Sequence, residues 1–240
     1  MPWADNPNVT AIVVSHLGGN EAGNSLIDIL YGAYNPSGKL PYTIAYNESD
    51  YYFANITSSV ANTTDPNAWQ SDFKEKLLID YRYFDYHNVS VRYPFGFGLS
   101  YTTFNMSDLA ISSLSNQTIT PLPASTNVTT PGGKEELWQG LYQVSLTVTN
   151  TGNLTGATVP QLYITLPSSA GAGTPVQQLR GFEKIDLAPG ASERVTFELM
   201  RRDLSFWDVV VQEWRVPTGT LGIKAGFSSR DAILVGNFEI

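Results

Sequence analysis

Cysteine is absent from all 240 residues of the chain, which excludes disulfides, thiolate nucleophiles and cysteine-ligated metals together. Histidine is almost as scarce. His16 and His87 are the only two, they lie far apart, and neither has acidic companions at ligand spacing, so no metal site and no cofactor is predicted. Basic residues are outnumbered, 14 Lys and Arg against 22 Asp and Glu, for a net charge of -8. That balance argues against a nucleic-acid partner, because neutralising phosphates needs a basic excess. No apolar run reaches the roughly 20 residues of a membrane-spanning helix, and no Gly-x-Ser-x-Gly elbow supports a serine hydrolase. Met1-Pro2-Trp3-Ala4-Asp5 has neither the basic region nor the apolar core of a signal peptide.

What is abundant is turn chemistry. Charged residues make up only 15% of the chain, while apolar residues reach 42% alongside 20 Gly and 14 Pro. This favours turn-rich β structure with one sizeable core or two modest ones. Ala11 to Val14 is a continuous apolar run, the pattern of a strand covered on both faces of a parallel sheet. Glu21 to Tyr31 follows with Leu26, Ile27, Leu30 and Tyr31 at helical spacing, and Gly32 stands just past its end. Asn35-Pro36-Ser37-Gly38 reads as a turn and Leu40 to Ala45 as the next strand, completing a parallel strand–helix–strand unit. Residues 46–75 read as a long polar surface loop; Leu77 to Phe84 and Val89 to Tyr93 come next.

From Met106 onward the period is two. Tyr142, Val144, Leu146 and Val148 alternate with polar residues, as do Val195, Phe197 and Leu199, and again Leu221, Ile223, Ala225 and Phe227. Each is a strand with one face on a core. Asn150-Thr151-Gly152-Asn153, Ala188-Pro189-Gly190 and Pro217-Thr218-Gly219 separate the strands at β-sandwich intervals. Residues 116–133 read as a flexible insertion.

Nine Asn-x-Ser/Thr sequons occur, at Asn8, Asn47, Asn55, Asn62, Asn88, Asn105, Asn116, Asn127 and Asn153. Such sites carry glycans on the surface of secreted proteins, so a secreted eukaryotic glycoprotein is expected. Sequons with no export signal are contradictory unless the natural N-terminus lies upstream, which makes this chain a fragment on the sequence reading.

Several motifs have a bland explanation. Gly32 to Lys39 mimics a phosphate loop, but five residues separate Gly32 from Gly38 where four are required, and Leu40 stands where a Ser or Thr should be. Gly18, Gly19 and Gly23 fit a tight strand–helix turn better than a dinucleotide fingerprint. Glu75, Asp80 and Asp85 invite assignment as a carboxylate pair for glycoside cleavage, although acidic residues beside an aromatic stretch are more often structural. Trp207 and Trp214 sit within strand patterns and read as packing residues. Trp69 and Trp138 lie in expected loops, where an aromatic face is open to stacking on a sugar ring.

The segment from Arg92-Tyr93-Pro94-Phe95-Gly96-Phe97-Gly98 to Leu99-Ser100-Tyr101-Thr102-Thr103-Phe104 divides the two compositional regimes. It resembles the end of the sandwich domain in glycoside hydrolase family 3 β-glucosidases, just before their fibronectin type III-like domain. The similarity continues along the chain. Met1-Pro2-Trp3 through Thr10 resembles the loop before a sheet strand, and Gly23 to Gly32 the following helix. Asn35 to Pro41 resembles the turn into the next strand, and Ile79 to Asp85 the domain-closing segment. Arg202 to Asp208, Pro217-Thr218-Gly219 and Ser228-Ser229-Arg230-Asp231 resemble the terminal sandwich strands. One departure is Lys76, where relatives usually carry Gly after a Glu.

The resemblance implies an α/β partial sandwich with an incomplete parallel sheet (1–95), a junction (96–105), and an all-β immunoglobulin or fibronectin type III-like sandwich (106–240). It implies a parent enzyme that removes terminal β-glucosyl residues from cello-oligosaccharides or related glucosides with retention, using an Asp nucleophile and a Glu acid/base about 5 Å apart. Neither belongs to the matched positions, so no catalytic residue is assigned and the chain alone is expected to be inactive. The substrate would be engaged through upstream domains. The alternatives are a non-catalytic module that braces the enzyme or contacts polysaccharide, and a degenerate member acting through interaction. The sandwich is expected to resist proteolysis, while residues 1 to about 95 expose apolar surface and strand edges.

Overall fold

A computed structural model describes residues 1–51, 73–114, 118–124 and 131–240. The N-terminal part is sparse in regular structure. A 3-10 turn at Pro2–Asp5 precedes helix α1, Ala22–Leu30, close to the span predicted from its periodicity. Strand β1, Ile44–Ala45, comes next, then helix α2, Tyr81–Tyr86, and strand β2, Val91–Tyr93.

Two expectations for this region fail. Residues 11–14 form no strand, and Val13 and Val14 are 52% and 45% exposed. A strand of that composition is stable only with partners on both edges and cover on both faces, and no described residue pairs with it. The stretch expected as the second strand shortens to β1, which pairs antiparallel with β2 through Ile44 and Tyr93, so the parallel unit does not close within the chain. Helix α1 forms but buries none of its residues; Ile27 and Leu30 are each 54% exposed.

From Phe104 onward the period-two reading holds. The strands in order are β3 Phe104–Ser113, β4 Gly140–Asn150, β5 Gly156–Thr158, β6 Gln161–Thr165, β7 Gln178–Phe182, β8 Ile185–Leu187, β9 Ser192–Met200, β10 Phe206–Asp208, β11 Glu213–Arg215, β12 Thr220–Gly226 and β13 Leu234–Glu239. One sheet runs β3-β4-β9 and the other β13-β12-β6-β7, every pairing antiparallel, with β5–β8 and β10–β11 as separate pairs. Val144, Leu146 and Val148 on β4 face Leu221, Ile223 and Ala225 on β12 across one core, joined by Val195 and Leu199 from β9, all almost fully buried. Tyr142 is displaced from that row by an irregularity between Gly140 and Tyr142, and Leu141 takes the buried place.

The expected loop at 46–75 is described only at its ends, and the expected insertion at 116–133 only in part; Trp69 lies outside the described residues. Residues 118–124 are tied to the sandwich: the Pro121 carbonyl accepts from the Val216 amide at 2.9 Å, and Ile119 packs on the core.

Candidate functional site

The Pro94-to-Phe104 segment is a clamp between the two regions. Its two glycines serve opposite sides. Gly96 has a φ of 78°, and a Cβ there would lie 2.2 Å from Gln161 Oε1 on β6. A Cβ on Gly98 would meet the Gly38 carbonyl oxygen at 2.2 Å. Only glycine permits both approaches. The Leu40 amide donates to Phe97 O and the Gly96 amide to Leu40 O, each at 2.8 Å, so the predicted turn at 35–38 is stitched to the clamp. Asn35 Oδ1 accepts from Ser100 Oγ and from the Tyr101 amide, both at 2.8 Å. The Tyr101 hydroxyl donates to Ile29 O, reaching α1. Lys39 Nζ donates to Gly98 O at 3.0 Å, and burial pushes its ammonium pKa down, with Asp231 opposing.

Gln161 and Tyr163 carry the other side. Gln161 Nε2 donates to Gly96 O and Phe227 O, and its Oε1 accepts from the Tyr163 hydroxyl at 2.6 Å. Burial pushes the Tyr163 phenol far above its ordinary range, so it stays a donor. Tyr81 stacks on Phe95 with centroids 4.8 Å apart and accepts from the Leu179 amide on β7 at 2.9 Å. Asn150 is fully buried with every side-chain valence used: it accepts from Thr102 Oγ1 and the Gly152 amide, and donates to Leu154 O and Leu187 O. These polar anchors were not singled out from sequence. Asn150 carried a signal through its turn motif, whereas Gln161 carried none, because its partners are 65 and 66 residues away.

The tempting carboxylates are structural in their contacts. Asp80 caps α2 with φ 51° and ψ -126°, a conformation that an L residue adopts only under strain. Three donors hold it: the Thr43 amide at 2.8 Å, Thr43 Oγ1 at 2.7 Å and the Tyr81 amide at 2.6 Å. Asp85 Oδ1 accepts from Arg230 Nε at 3.1 Å and its Oδ2 from Gln177 Nε2 at 2.9 Å. Glu75 offers its carbonyl to the Leu78 amide. Lys76 adopts φ 52°, the left-handed region that explains why glycine suits this position.

His16 bonds Tyr42 and His87 stacks on Tyr83, so the histidines are not brought together. Among the described residues no group of three His, Asp or Glu stands close enough to hold a metal ion. Trp138 ends a 3-10 turn, Glu135–Trp138, and is 48% exposed. Trp207 and Trp214 face each other across β10 and β11, ring centroids 5.6 Å apart. The Arg202 guanidinium lies 3.6 Å over Trp214, while Trp207 remains 43% exposed. Both tryptophans thus pack within paired strands, as their strand patterns suggest, in a hairpin that hydrogen-bonds to neither large sheet and touches the core through Phe206. Nearby, Arg201 is buried against Glu136 at 3.0 Å.

Asn8, Asn47, Asn88, Asn105 and Asn153 all lie on exposed surface; Asn55, Asn62, Asn116 and Asn127 fall outside the described residues. Two clefts open along the junction. One, of about 430 Å³, lies between Gly38–Lys39 and Phe182–Lys184. The other, of about 310 Å³, lies between the end of α2 and the tips of the sandwich.

Residues 1–101 match the glycosyl hydrolase family 3 C-terminal domain, and residues 158–229 match a fibronectin type III-like domain. A probable beta-glucosidase G of Aspergillus flavus is 60% identical over 231 residues, 96% of this chain and 28% of that protein. A probable beta-glucosidase D of Aspergillus niger is 49% identical, covering 99% of this chain and 29% of that one. Among solved structures, a beta-D-glucoside glucohydrolase from Trichoderma reesei superposes with a TM-score of 0.79 at 45% identity, over 92% of this chain and 29% of that chain. The chain thus spans less than a third of the length of these relatives.

Proposed function

We propose that this chain, which matches the glycosyl hydrolase family 3 C-terminal domain over residues 1–101 and a fibronectin type III-like domain over residues 158–229, is a family 3 segment and forms the C-terminal part of a secreted, retaining β-glucosidase. The supporting observation is that similarity to beta-glucosidases runs unbroken through both regions and the junction, over 96% of the chain. We divide it at 1–95, 96–105 and 106–240. In this reading the segment contributes architecture, and the reacting carboxylates come from portions of the enzyme outside the shared residues. The bonding of Asp80 and Asp85 supports that: each is occupied by donors that hold α2 in place. Terminal β-D-glucosyl residues, as in cello-oligosaccharides, are the proposed substrate class, which places the enzyme in cellulose breakdown outside the cell.

Assay on an aryl β-D-glucoside tests both halves of the proposal. The isolated chain is expected to show no turnover. Joined behind the preceding domains of the Aspergillus flavus relative, it is expected to complete an active enzyme. Turnover by the isolated chain would overturn the assignment of inactivity, and a folded but inactive chimera would overturn the assignment as a β-glucosidase segment.

A second role, contact with polysaccharide, is favoured by the half-exposed rings of Trp138 and Trp207. Retention of the chain on insoluble cellulose, reduced by Trp207→Ala, is the expected result; complete recovery in the supernatant removes this role.

A further inference from the structure

Where α2 ends against the sandwich, the cleft of about 310 Å³ is lined from one side by Asp85 and Asn88 and from the other by Gln177, Lys224, Ser229 and Arg230. Its size sits at the small end of ligand sites, which span roughly 300–1,000 Å³, and suits one sugar ring better than a chain of them. Gln177 and Ser229 are only 4% and 6% exposed. Gln177 Nε2 is committed to Asp85 Oδ2 and to Ser229 O at 2.6 Å. Its Oε1 has no partner, and neither does Ser229 Oγ. Buried polar atoms left in this state are unusual in native proteins and point to a missing group that can donate and accept.

Asn88 stands at the mouth. It is exposed, its φ is 52°, and it heads the sequon Asn88-Val89-Ser90. Its left-handed backbone ends the α2 turn, and no described residue hydrogen-bonds its side-chain amide. Arg230 frames the same spot from the sandwich, donating to Val89 O at 2.8 Å and to Asp85 Oδ1. Of the five described sequon asparagines, only Asn88 lines either of the two junction clefts.

We infer that Asn88 carries an N-linked glycan whose first N-acetylglucosamine occupies this cleft and braces α2 against the sandwich. This rests on the secretory reading above. In the transfer, Asn88 Nδ2 attacks C1 of a sugar carried on a lipid diphosphate. The N–C1 bond forms, the C1–O bond to phosphate breaks, the lipid diphosphate leaves with the bonding pair, and the amide gives up one proton. Once attached, the sugar is tethered at the cleft mouth, so its hydroxyls and acetamide are held there at high effective concentration. Lys224 and Arg230 supply donors to its oxygens, and the exposed Val176 side chain gives the acetamide methyl an apolar wall.

The test uses the whole chain secreted from a fungal host, with glycopeptide mass spectrometry at every sequon and hydrogen exchange across 81–90, 176–180 and 224–232. Asn88 is expected to be occupied. Trimming to a single N-acetylglucosamine should leave exchange in these segments unchanged. Ser90→Ala, which removes the sequon but keeps Asn88, should accelerate exchange at least several-fold in segments on both sides of the cleft, and Ser90→Thr should restore protection. Thr10→Ala, which removes the Asn8 sequon, should change nothing in these segments. A bare Asn88 beside glycosylated neighbours overturns this inference alone, as does unaltered exchange in Ser90→Ala, which would mean that water fills the cleft. Absence of glycan from all nine sequons overturns the secretory reading and this inference with it.

Discussion

Gln161 reaches from β6 to the backbone of Gly96, its Nε2 donating to the Gly96 carbonyl at 3.0 Å while a Cβ on residue 96 would lie only 2.2 Å from its Oε1. The side chain is 3% exposed, so the contact is dry and the two residues hold the two regions in one register. Gly96→Ala meets both a left-handed backbone and a collision with the amide. The expected loss is about 3 kcal/mol, the sum of a strained φ and an overpacked contact. Gln161→Ala should cost about 2 kcal/mol by orphaning Gly96 O, Phe227 O and the Tyr163 hydroxyl. Denaturant unfolding followed by tryptophan fluorescence measures both, and a Gly96→Ala protein as stable as the parent would refute the clamp.

Asp80 offsets its own backbone strain with three hydrogen bonds. Asp80→Ala removes all three and keeps the strain, so a loss of about 2 kcal/mol is expected. Lys76→Gly, four residues earlier, relieves a left-handed φ of 52° and removes no side-chain hydrogen bond to a described residue. It should leave stability unchanged or raise it by up to about 1 kcal/mol. Opposite signs in the two variants, read by thermal denaturation, are the expected pattern.

The β10–β11 hairpin should loosen in acid. Asp208 is held below its ordinary value chiefly by the Val210 amide and Arg215, and Glu213 chiefly by Lys134, 2.5 Å away. Both folded-state values are depressed, so their stabilisation is fully present above the unfolded values of 3.8 and 4.5 and is lost as the pH falls through the lower folded values. Fluorescence from the Trp207–Trp214 pair should therefore change below about pH 4.5, before global unfolding, and Lys134→Met should raise the pH of the Glu213 transition. A hairpin signal flat down to pH 2 would contradict this.

Limited proteolysis should not divide the chain where its composition divides. Tyr81 and Phe84 are 7% and 2% exposed and pack against the sandwich side of the molecule or the β1–β2 pair beside it. Residues 35–45 are tied to the clamp, to Asp80 and to β2, so protection is expected to begin near residue 35 rather than 106, with the first cuts between residues 11 and 34, where Leu17 is fully exposed and Tyr31 is 86% exposed. N-terminal sequencing of the resistant fragment decides between the two boundaries.

Local patterning made the sandwich legible. Alternation at 142–148, 195–199 and 221–225 reflects a one-sided core, and that requirement is written residue by residue along each strand. Helix α1 was legible for the same kind of reason. The run Ala11 to Val14 misled because its composition answers to neighbours that no described residue provides, and a strand cannot satisfy its backbone alone. Trp207 and Trp214 were legible as strand residues, but a strand pattern does not reveal which sheet a strand joins, and theirs is a separate hairpin. The cleft beside Asn88 was invisible from sequence, since its walls come from residues 85–88, 176–177 and 224–232.

The sequence by itself determined the family resemblance, the order of strands and turns, the acidic and cysteine-free surface chemistry, and the position of every sequon. Those are properties of short windows or of totals, and they survive without knowing what touches what. Only the tertiary structure decided that Asp80 and Asp85 serve α2, that Gly96 is glycine because of Gln161, and that Asn88 alone among the described sequon asparagines opens onto a junction cleft. The first two depend on groups dozens of residues apart meeting within about 3 Å, the range in which a hydrogen bond forms, and the third on cleft walls drawn from distant segments.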